Sequence, residues 1–489
     1  MTNFFIDLHG CAKNQVDAEI ISTRLTNLGL CRVEAEDNAD IIIVNSCGFI
    51  KSAKVESLQS MLDYLKNYPE KKIILAGCLA ERYADTFAKE IPEATAIFGN
   101  GDLSLIDEII KKISEDFSSH TQIKLKKNKS VQKLPPIFKG EQKGVCSGKR
   151  NEFFNFPSSA YVKITEGCNN RCSFCAIPII RGNLRSRHID EITAEIYELI
   201  ERGIWEINLI GQDLASFGTE NLTSEAQKNK KHSPLYNLLK NILKSQKDFR
   251  IRLLYIHPDH FPLDILDLLE KDERIVPYFD IPFQSGDDKI IFAMNRRGKA
   301  SQYIELIETI RKRCEKTKYG IAVFRTTFLC GFPGENEESF NITQEFLKKL
   351  ECDWSGCFIY SREEDTVAAN FPNQVSEKIA KKRAEKLQKI QTEITQKKLK
   401  YFIGQILDIL IEEIIPIDEN ASTEREKIGM DAERTGIAIG RSWFQAPDVD
   451  GVTVVYFDLS QNAIVNSGNI VKCKITGISG IDIYGFLFF

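Results

Sequence analysis

From Ala160 onward the chain repeats one pattern: a short run of branched or aromatic residues, a turn, then a helical stretch. The runs "AYVKI", "EINLIGQD", "IRLLYI", "PYFDIPF", "IAVFRTTFLCGF" and "GCFIYS" alternate with "EITAEIYELIERG", "LYNLLKNILKS", "PLDILDLLEK", "SQYIELIETIRKRC" and "SFNITQEFLKKL". Strands separated by helices pair in parallel, because each connection crosses back over the sheet. Six such units predict an open or partial (β/α)6 barrel whose ligand edge lies at the carboxyl ends of its strands.

The first ~115 residues repeat the pattern on a smaller scale, with "FFIDL", "DIIIVNSC" and "KKIILAGC" as strands between helical runs. This predicts a small α/β domain with a parallel sheet. Cys11, Cys47 and Cys78 each follow one of its strands, so the three are expected to collect on one sheet edge. Residues 118–152 lose periodicity and carry lysines, a Pro-Pro and glycines, which reads as a solvated linker. The polar run "TENLTSEAQKNKKHS" reads as a surface insertion. A lysine-rich helix at 375–401, with Ile379, Leu387, Ile390 and Ile394 at helical spacing, is expected to bridge to the last domain. Beyond it the period becomes two, and "GQILDILIEEI", "GIAIGRSW", "GVTVVYF", "IVKCKITGIS" and "DIYGFLFF" predict a small antiparallel barrel of five strands. The expected divisions are an N-terminal domain at 1–117, a basic linker at 118–153, the barrel core at 154–384, and the linking helix with the terminal barrel at 385–489.

Composition narrows the setting. The opening "MTNFFIDLHGCAKNQ" has neither the basic nor the apolar region of a secretory signal, and no apolar run reaches the ~18 residues that cross a bilayer. A cytoplasmic protein with no membrane association is expected. Thirteen cysteines in a reducing compartment are better read as ligands, reactive groups or buried fillers than as disulfides. Charge is uneven: residues 403–489 carry thirteen acids and six bases, whereas 120–150 carry nine bases and one acid.

The most specific motif is "TEGCNNRCSFCAIPIIRG", which sets Cys168, Cys172 and Cys175 on a C-x3-C-x2-C spacing just after the first barrel strand. A structural zinc site is normally closed by four Cys or His ligands, and no fourth lies at finger spacing; His188 is thirteen positions beyond Cys175. A 4Fe-4S cluster held by three thiolates leaves one iron open to a substrate or cofactor.

"CNNRCSFC" resembles the cluster motif of radical S-adenosylmethionine enzymes. That resemblance implies that the methionyl amine and carboxylate of S-adenosylmethionine chelate the open iron, and that an electron from the cluster splits the sulfonium. The resulting 5′-deoxyadenosyl radical removes an unactivated hydrogen. "GCAKNQVDAE", "NSCGF" and "GCLAERY" resemble the three cysteine motifs of the methylthiotransferase family, and with the terminal barrel, similar to a TRAM domain, the likeness covers nearly the whole chain. It implies that Cys11, Cys47 and Cys78 hold an auxiliary 4Fe-4S cluster, also one ligand short. Two open clusters suit methylthio insertion, one making a carbon radical and the other presenting sulfur, with a second S-adenosylmethionine giving the methyl. An electron donor such as flavodoxin or ferredoxin is implied, and the sulfur donor is left unassigned.

By family analogy Arg325 binds the cofactor carboxylate while Gly331 and Glu335 shape its pocket, a structural role for the arginine being the alternative. Gln212 and Asp213, closing the second barrel strand, are candidates to touch cofactor or substrate. Cys314, Cys330, Cys352 and Cys357 lack ligand spacing and, with Cys31, Cys146 and Cys473, read as structural or incidental. The family has one branch acting on a tRNA adenosine beside the anticodon and another acting on an aspartate of small-subunit ribosomal protein twelve. RNA affinity rests on Lys and Arg, so an acidic last domain favours the basic ribosomal protein, free or on the ribosome. "GRSWFQAPDVDG" also resembles the signature of the protein-modifying branch, against an ordinary hairpin loop. "IHP" at 256–258, and Ser285 and Gly286 in "DIPFQSGDD", point toward the tRNA branch. The expected activity is methylthiolation of an aspartate β-carbon, with tRNA adenosine as the alternative substrate. A noncatalytic iron-sulfur scaffold or RNA-binding protein is the alternative of another class.

Overall fold

Unbroken apolar runs such as "IIIV" and "IILA" suit strands covered on both faces. In the computed structural model, described for residues 2–117, 119, 121–123, 150–154, 156–220, 231–415, 435–461 and 464–488, they form the middle of a parallel sheet. Its strands are β1 (Asn3–Leu8), β2 (Cys31–Arg32), β3 (Ile41–Ser46), β4 (Lys72–Gly77) and β5 (Ala96–Ile97), in the order β2-β1-β3-β4-β5. Helices α1 (Ala12–Asn27), α2 (Lys51–Asn67), α3 (Cys78–Glu90) and α4 (Leu105–Glu115) cover it. Side chains alternate along β3: Ile41 and Ile43 pack with residues of α1 and α4, whereas Ile42 and Val44 pack with residues of α2 and α3. β1, β3 and β4 are neighbours, so the three strands that precede the N-terminal cysteines end side by side.

All six expected barrel strands form one parallel sheet: β6 (Ser159–Lys163), β9 (Glu206–Ile210), β10 (Arg250–Leu253), β11 (Ile275–Asp280), β12 (Val323–Cys330) and β13 (Trp354–Ile359). The order β13-β12-β11-β10-β9-β6 leaves it open between its ends. A short hairpin of β7 (Thr165–Glu166) and β8 (Arg185–Ser186) brackets the cysteine triplet. One face carries Ile207, Leu209, Ile251, Leu253, Phe279 and Phe324 into the helical layer. Charged and aromatic residues on the other face, including Tyr161, Lys163, Glu206, Arg252, Tyr278 and Arg325, meet the N-terminal domain and the terminal barrel.

The terminal barrel closes through β14 (Ile406–Ile415), β15 (Thr435–Arg441), β16 (Thr453–Asp458), β18 (Asp482–Leu487) and β17 (Ile470–Ser479) in that spatial order. It is not wholly antiparallel as expected: β16 and β18 pair in parallel, the contact that closes the barrel and removes its open edges. The bridging helix runs Glu377–Leu399. Leu387 is buried and Ile390 and Ile394 pack against the core, but Ile379 is 46% exposed, because the first turn buries its neighbour Ala380 instead. The linker expectation also changes at its end. Arg150 is buried, pairing with Glu19 of α1 at 2.7 Å and Glu195 at 2.6 Å, so the chain is clamped there. Residues 124–149 and 221–230, which hold most of the basic linker and of the polar insertion, lie outside the described residues.

The connection between β15 and β16, containing "SWFQAPDVD", lies against the charged face of the open sheet. Arg252 donates to the Trp443 carbonyl at 2.7 Å, Trp354 Nε1 to the Phe444 carbonyl at 2.9 Å, and the Tyr161 and Tyr278 hydroxyls to Asp448 and Asp450 at 2.9 and 2.6 Å. At the centre of the contact Glu206, fully buried, pairs with Arg252 at 2.9 Å and with Arg441 at 2.7 Å. Burial raises its carboxyl, but the Arg441 and Arg252 charges outweigh this and hold it well below the usual carboxylate range. Removing one member of such a buried group leaves uncompensated charge, at a cost of about 3–5 kcal/mol. Glu206→Gln is therefore expected to loosen the terminal barrel from the core. Hydrogen exchange at residues 442–452 should rise in the variant, and unchanged protection would show that the pairing does not hold the interface.

Candidate functional site

Each N-terminal cysteine occupies a strand-to-helix turn. Cys11 follows β1 and caps α1, Cys47 follows β3, and Cys78 begins α3 directly after β4. The turns approach closely because glycines precede or follow the thiols. Gly10 has φ +99, and a Cβ there would stand 3.1 Å from the Cys47 Cβ; a Cβ on Gly48 would stand 2.7 Å from the Cys78 carbonyl oxygen. Asn14 ties the turns together, donating to the carbonyls of His9 and Ser46 at 3.0 Å each. Its side-chain oxygen accepts from the Cys78 thiol at 3.1 Å.

The triplet Cys168, Cys172 and Cys175 follows β6 and the first strand of the hairpin. Gly167, φ +73, begins the loop where a Cβ would stand 2.1 Å from the Asn183 carbonyl oxygen. The Cys175 amide donates to the Cys172 carbonyl at 3.0 Å, which curls the loop upon itself. Asn170 donates to Asp213 at 2.9 Å, Ser173 to the Ala293 carbonyl at 2.8 Å, and Phe174 meets the edge of Phe332. Such outer partners orient metal ligands. Among the described residues no group of three His, Cys, Asp or Glu is set to hold a single metal ion. Each triad offers three thiols and no fourth, as a cluster with one open iron would require. The donor sets fit 4Fe-4S clusters.

A buried charge quartet joins the two triads. Arg181 follows α5 (Ile177–Ile180), six positions past Cys175. It donates to Cys78 Sγ at 3.2 Å, Asn14 at 2.6 Å, Asp17 at 3.0 Å and Glu166 at 2.8 Å. Lys163 completes the quartet, at 2.5 Å from Asp17 and 2.8 Å from Glu166. Burial raises the Glu166 carboxyl, but the Arg181 and Lys163 charges overcome this and hold it well below its usual range. Burial likewise pushes the Cys78 thiol up to about 12 despite Arg181. Cys11 is the exposed member of its triad, and its partial desolvation is outweighed by the charges of Lys13 and Arg181, so that its thiol falls below the ordinary value. Lys13, in the first turn of α1, is 8% exposed, and burial brings its ammonium down to about 8.

The other residues expected from the sequence hold more local positions. Gln212 donates to Glu166 at 3.1 Å, and Asp213 accepts from Asn170 and from His260 at 2.6 Å, so both brace the cysteine loop. Arg325 is not a free cation awaiting a cofactor: it pairs with Asp450 at 2.5 Å and donates to the Val449 carbonyl at 3.0 Å. Glu335 accepts from the Gly331 amide at 2.9 Å and from Arg383 at 2.8 Å, and a Cβ on Gly331 would stand 2.4 Å from the Ala380 Cβ. These two residues seat the Glu377–Leu399 helix. Cys314, Cys330, Cys352 and Cys473 are buried and Cys31 and Cys357 half-buried, and Cys146 lies outside the described residues. Arg181, Lys163, Asp17, Glu166 and Lys13 were not expected from sequence. The available signal was a lysine inside the buried strand "AYVKI", since a buried lysine needs a partner.

The sequence matches three family models in order: uncharacterized protein family UPF0004 at residues 3–99, the radical SAM superfamily at 162–347, and the TRAM domain at 403–487. Relatives are similar over almost their whole length. The ribosomal protein uS12 methylthiotransferase RimO of Treponema denticola is 49% identical, covering 98% of this chain and 99% of the relative. That of Aquifex aeolicus is 37% identical over 97% of this chain and 95% of the relative. Among solved structures, the radical S-adenosylmethionine methyltransferase TsrM of Kitasatospora setae shares the fold at a TM-score of 0.50 and 14% identity, over 73% of this chain and 72% of that one. No helix among the described residues is long and apolar enough to cross a membrane. A 49% identity that runs through both cysteine triads and the terminal barrel settles the family: the chain belongs to the RimO methylthiotransferases, a family of radical S-adenosylmethionine enzymes.

Proposed function

We propose that this enzyme adds a methylthio group to the β-carbon of an aspartate in ribosomal protein uS12, with Cys168, Cys172 and Cys175 holding one 4Fe-4S cluster and Cys11, Cys47 and Cys78 a second. The observation that carries the reading is the full-length similarity to proteins named as uS12 methylthiotransferases, from the first cysteine motif to the terminal barrel. When bound, the clusters and S-adenosylmethionine supply radical hydrogen abstraction, sulfur and methyl. The chain's own part is to hold these groups together and keep water away. Asn170, anchored by Asp213, sets the triplet loop. Arg181 stands on Cys78 with a charge-assisted donor, the kind of hydrogen bond that tunes a cluster's potential. The β15–β16 connection fills the open face of the sheet and restricts access from that side.

The acidic character of the terminal barrel supports a basic protein partner less directly than its net charge suggests. Asp450 answers Arg325, Glu412 answers Arg441, Asp448 accepts from Tyr161, and Asp408 pairs with Lys472. The substrate reading therefore rests on family membership more than on surface charge. An electron donor of the flavodoxin or ferredoxin class and a site of action in the cytoplasm belong to the same reading.

Reconstituted anaerobically, the protein should hold about eight irons per chain, four per cluster. Replacing Cys11, Cys47 and Cys78 together with alanine should halve this while retaining the spectrum of one cluster; unchanged iron content counts against the second cluster. In cells lacking or expressing the enzyme, mass spectrometry of uS12 and of tRNA should find one methylthio gain on uS12 that follows expression. Gain on tRNA with uS12 unmodified would overturn the protein substrate in favour of the tRNA alternative, and cleavage-inactive protein under reducing conditions would favour the scaffold.

A further inference from the structure

A carboxylate substrate entering a buried junction needs a cation to replace its water. Most cations at the meeting of the three domains are engaged. Lys163 and Arg181 share Asp17 and Glu166, Arg325 holds Asp450, and Arg252 and Arg441 hold Glu206. Lys13 differs. Its side chain is buried, yet among the described residues its ammonium pairs with no carboxylate and lies 3.0 Å from the centroid of the Tyr255 ring.

The ring is brought there at a cost. Tyr255 has φ +69, a left-handed conformation that bulky residues rarely adopt. Two hydrogen bonds hold it, its amide donating to Asp280 at 3.2 Å and its carbonyl accepting from the Leu214 amide at 2.9 Å. Strain of this kind persists where the surroundings over-determine it, commonly at ligand sites. Lys13 also lies two residues from Cys11, in the turn of the auxiliary triad, while Tyr255 and Asp280 stand at the carboxyl ends of β10 and β11. The ammonium thus sits between the N-terminal thiols and the ligand edge of the barrel. A cation held over an aromatic face, with no carboxylate at ion-pair distance among the described residues and Cys11 and Asp280 acting on it only from farther off, is suited to receive a carboxylate.

We propose that Lys13 grips the carboxylate of the substrate aspartate, making it the residue by which the enzyme distinguishes an acidic side chain from a neutral one. This rests on uS12 aspartate being the substrate. The same chemistry is carried by the carboxylate of S-adenosylmethionine; the placement of Lys13 beside Cys11, in a different domain from Cys168–Cys175, favours the substrate.

The test measures equilibrium binding of the cluster-loaded enzyme to labelled uS12 and to uS12 with the modified aspartate changed to Asn, beside the affinity for S-adenosylmethionine. Wild type should prefer the aspartate form by about 10- to 100-fold, the worth of one charged hydrogen bond. Lys13→Gln should bind both forms alike, with unchanged iron content and unchanged S-adenosylmethionine affinity, and Lys13→Arg should recover part of the preference. Wild type without a preference overturns the proposal whether or not the variants fold. So does Lys13→Gln with the preference intact, or with only S-adenosylmethionine affinity reduced. If uS12 is modified but Lys13 proves indifferent, the inference alone falls; if the methylthio group appears on tRNA instead, the substrate reading falls and takes the inference with it.

Discussion

The buried quartet of Asp17, Lys163, Glu166 and Arg181 is the interaction on which the architecture depends. Two cations and two carboxylates taken out of water are stable only as a set, because each unpaired member would carry a desolvation cost of several kcal/mol. Asp17 comes from the N-terminal domain and the other three from the barrel core, so neither domain can satisfy its share alone. The domains are thereby held in one relative position, and that position brings the two cysteine triads to the same junction. Arg181 makes the link explicit, reaching from the loop after Cys175 to the thiol of Cys78.

This explains an otherwise odd helix. α1 is buried along most of its length although its residues include Asn14, Gln15, Asp17, Glu19, Ser22 and Thr23. A helix covered on all sides is normally apolar. Here the polar residues have partners: Asp17 meets Lys163 and Arg181, Glu19 meets Arg150, Ser22 meets Glu152, and Thr23 accepts from the Asn151 amide. One side of α1 packs on its own sheet, and the other packs on β6, an edge strand of the barrel sheet. The terminal domain uses the same logic with Glu206 between Arg252 and Arg441. The charged inner face of an open six-stranded sheet is thus covered from two directions by domains that bring the complementary charges.

Much of this was legible from local pattern. The six strands of the core sheet, the N-terminal parallel sheet and the five terminal strands all follow from period and turn residues, which are encoded within a few positions. The cysteines were legible too, from spacing in one triad and from strand ends in the other. The parallel closing pair β16 and β18 was not, since pairing direction depends on the path of the chain around the barrel. Nor was the partner of Arg325, for a similar reason. A strand arginine at a ligand edge resembles a free anion site until Asp450, 125 residues away, is placed against it.

By itself, then, the sequence determined the element types, the two cysteine triads and the family, because each depends on residues near one another in the chain or on similarity along its length. Only the tertiary structure decided which charges neutralise which. Arg181 and Cys78 lie 103 positions apart, Glu206 and Arg441 235, and no local period records such pairings. Electrostatic partnership is a property of distance and burial in space. For that reason the same lysine-containing motif, "GCAKNQ", marks a cysteine turn in the sequence and becomes, once Tyr255 lies beneath Lys13, the place where we propose that a carboxylate is held.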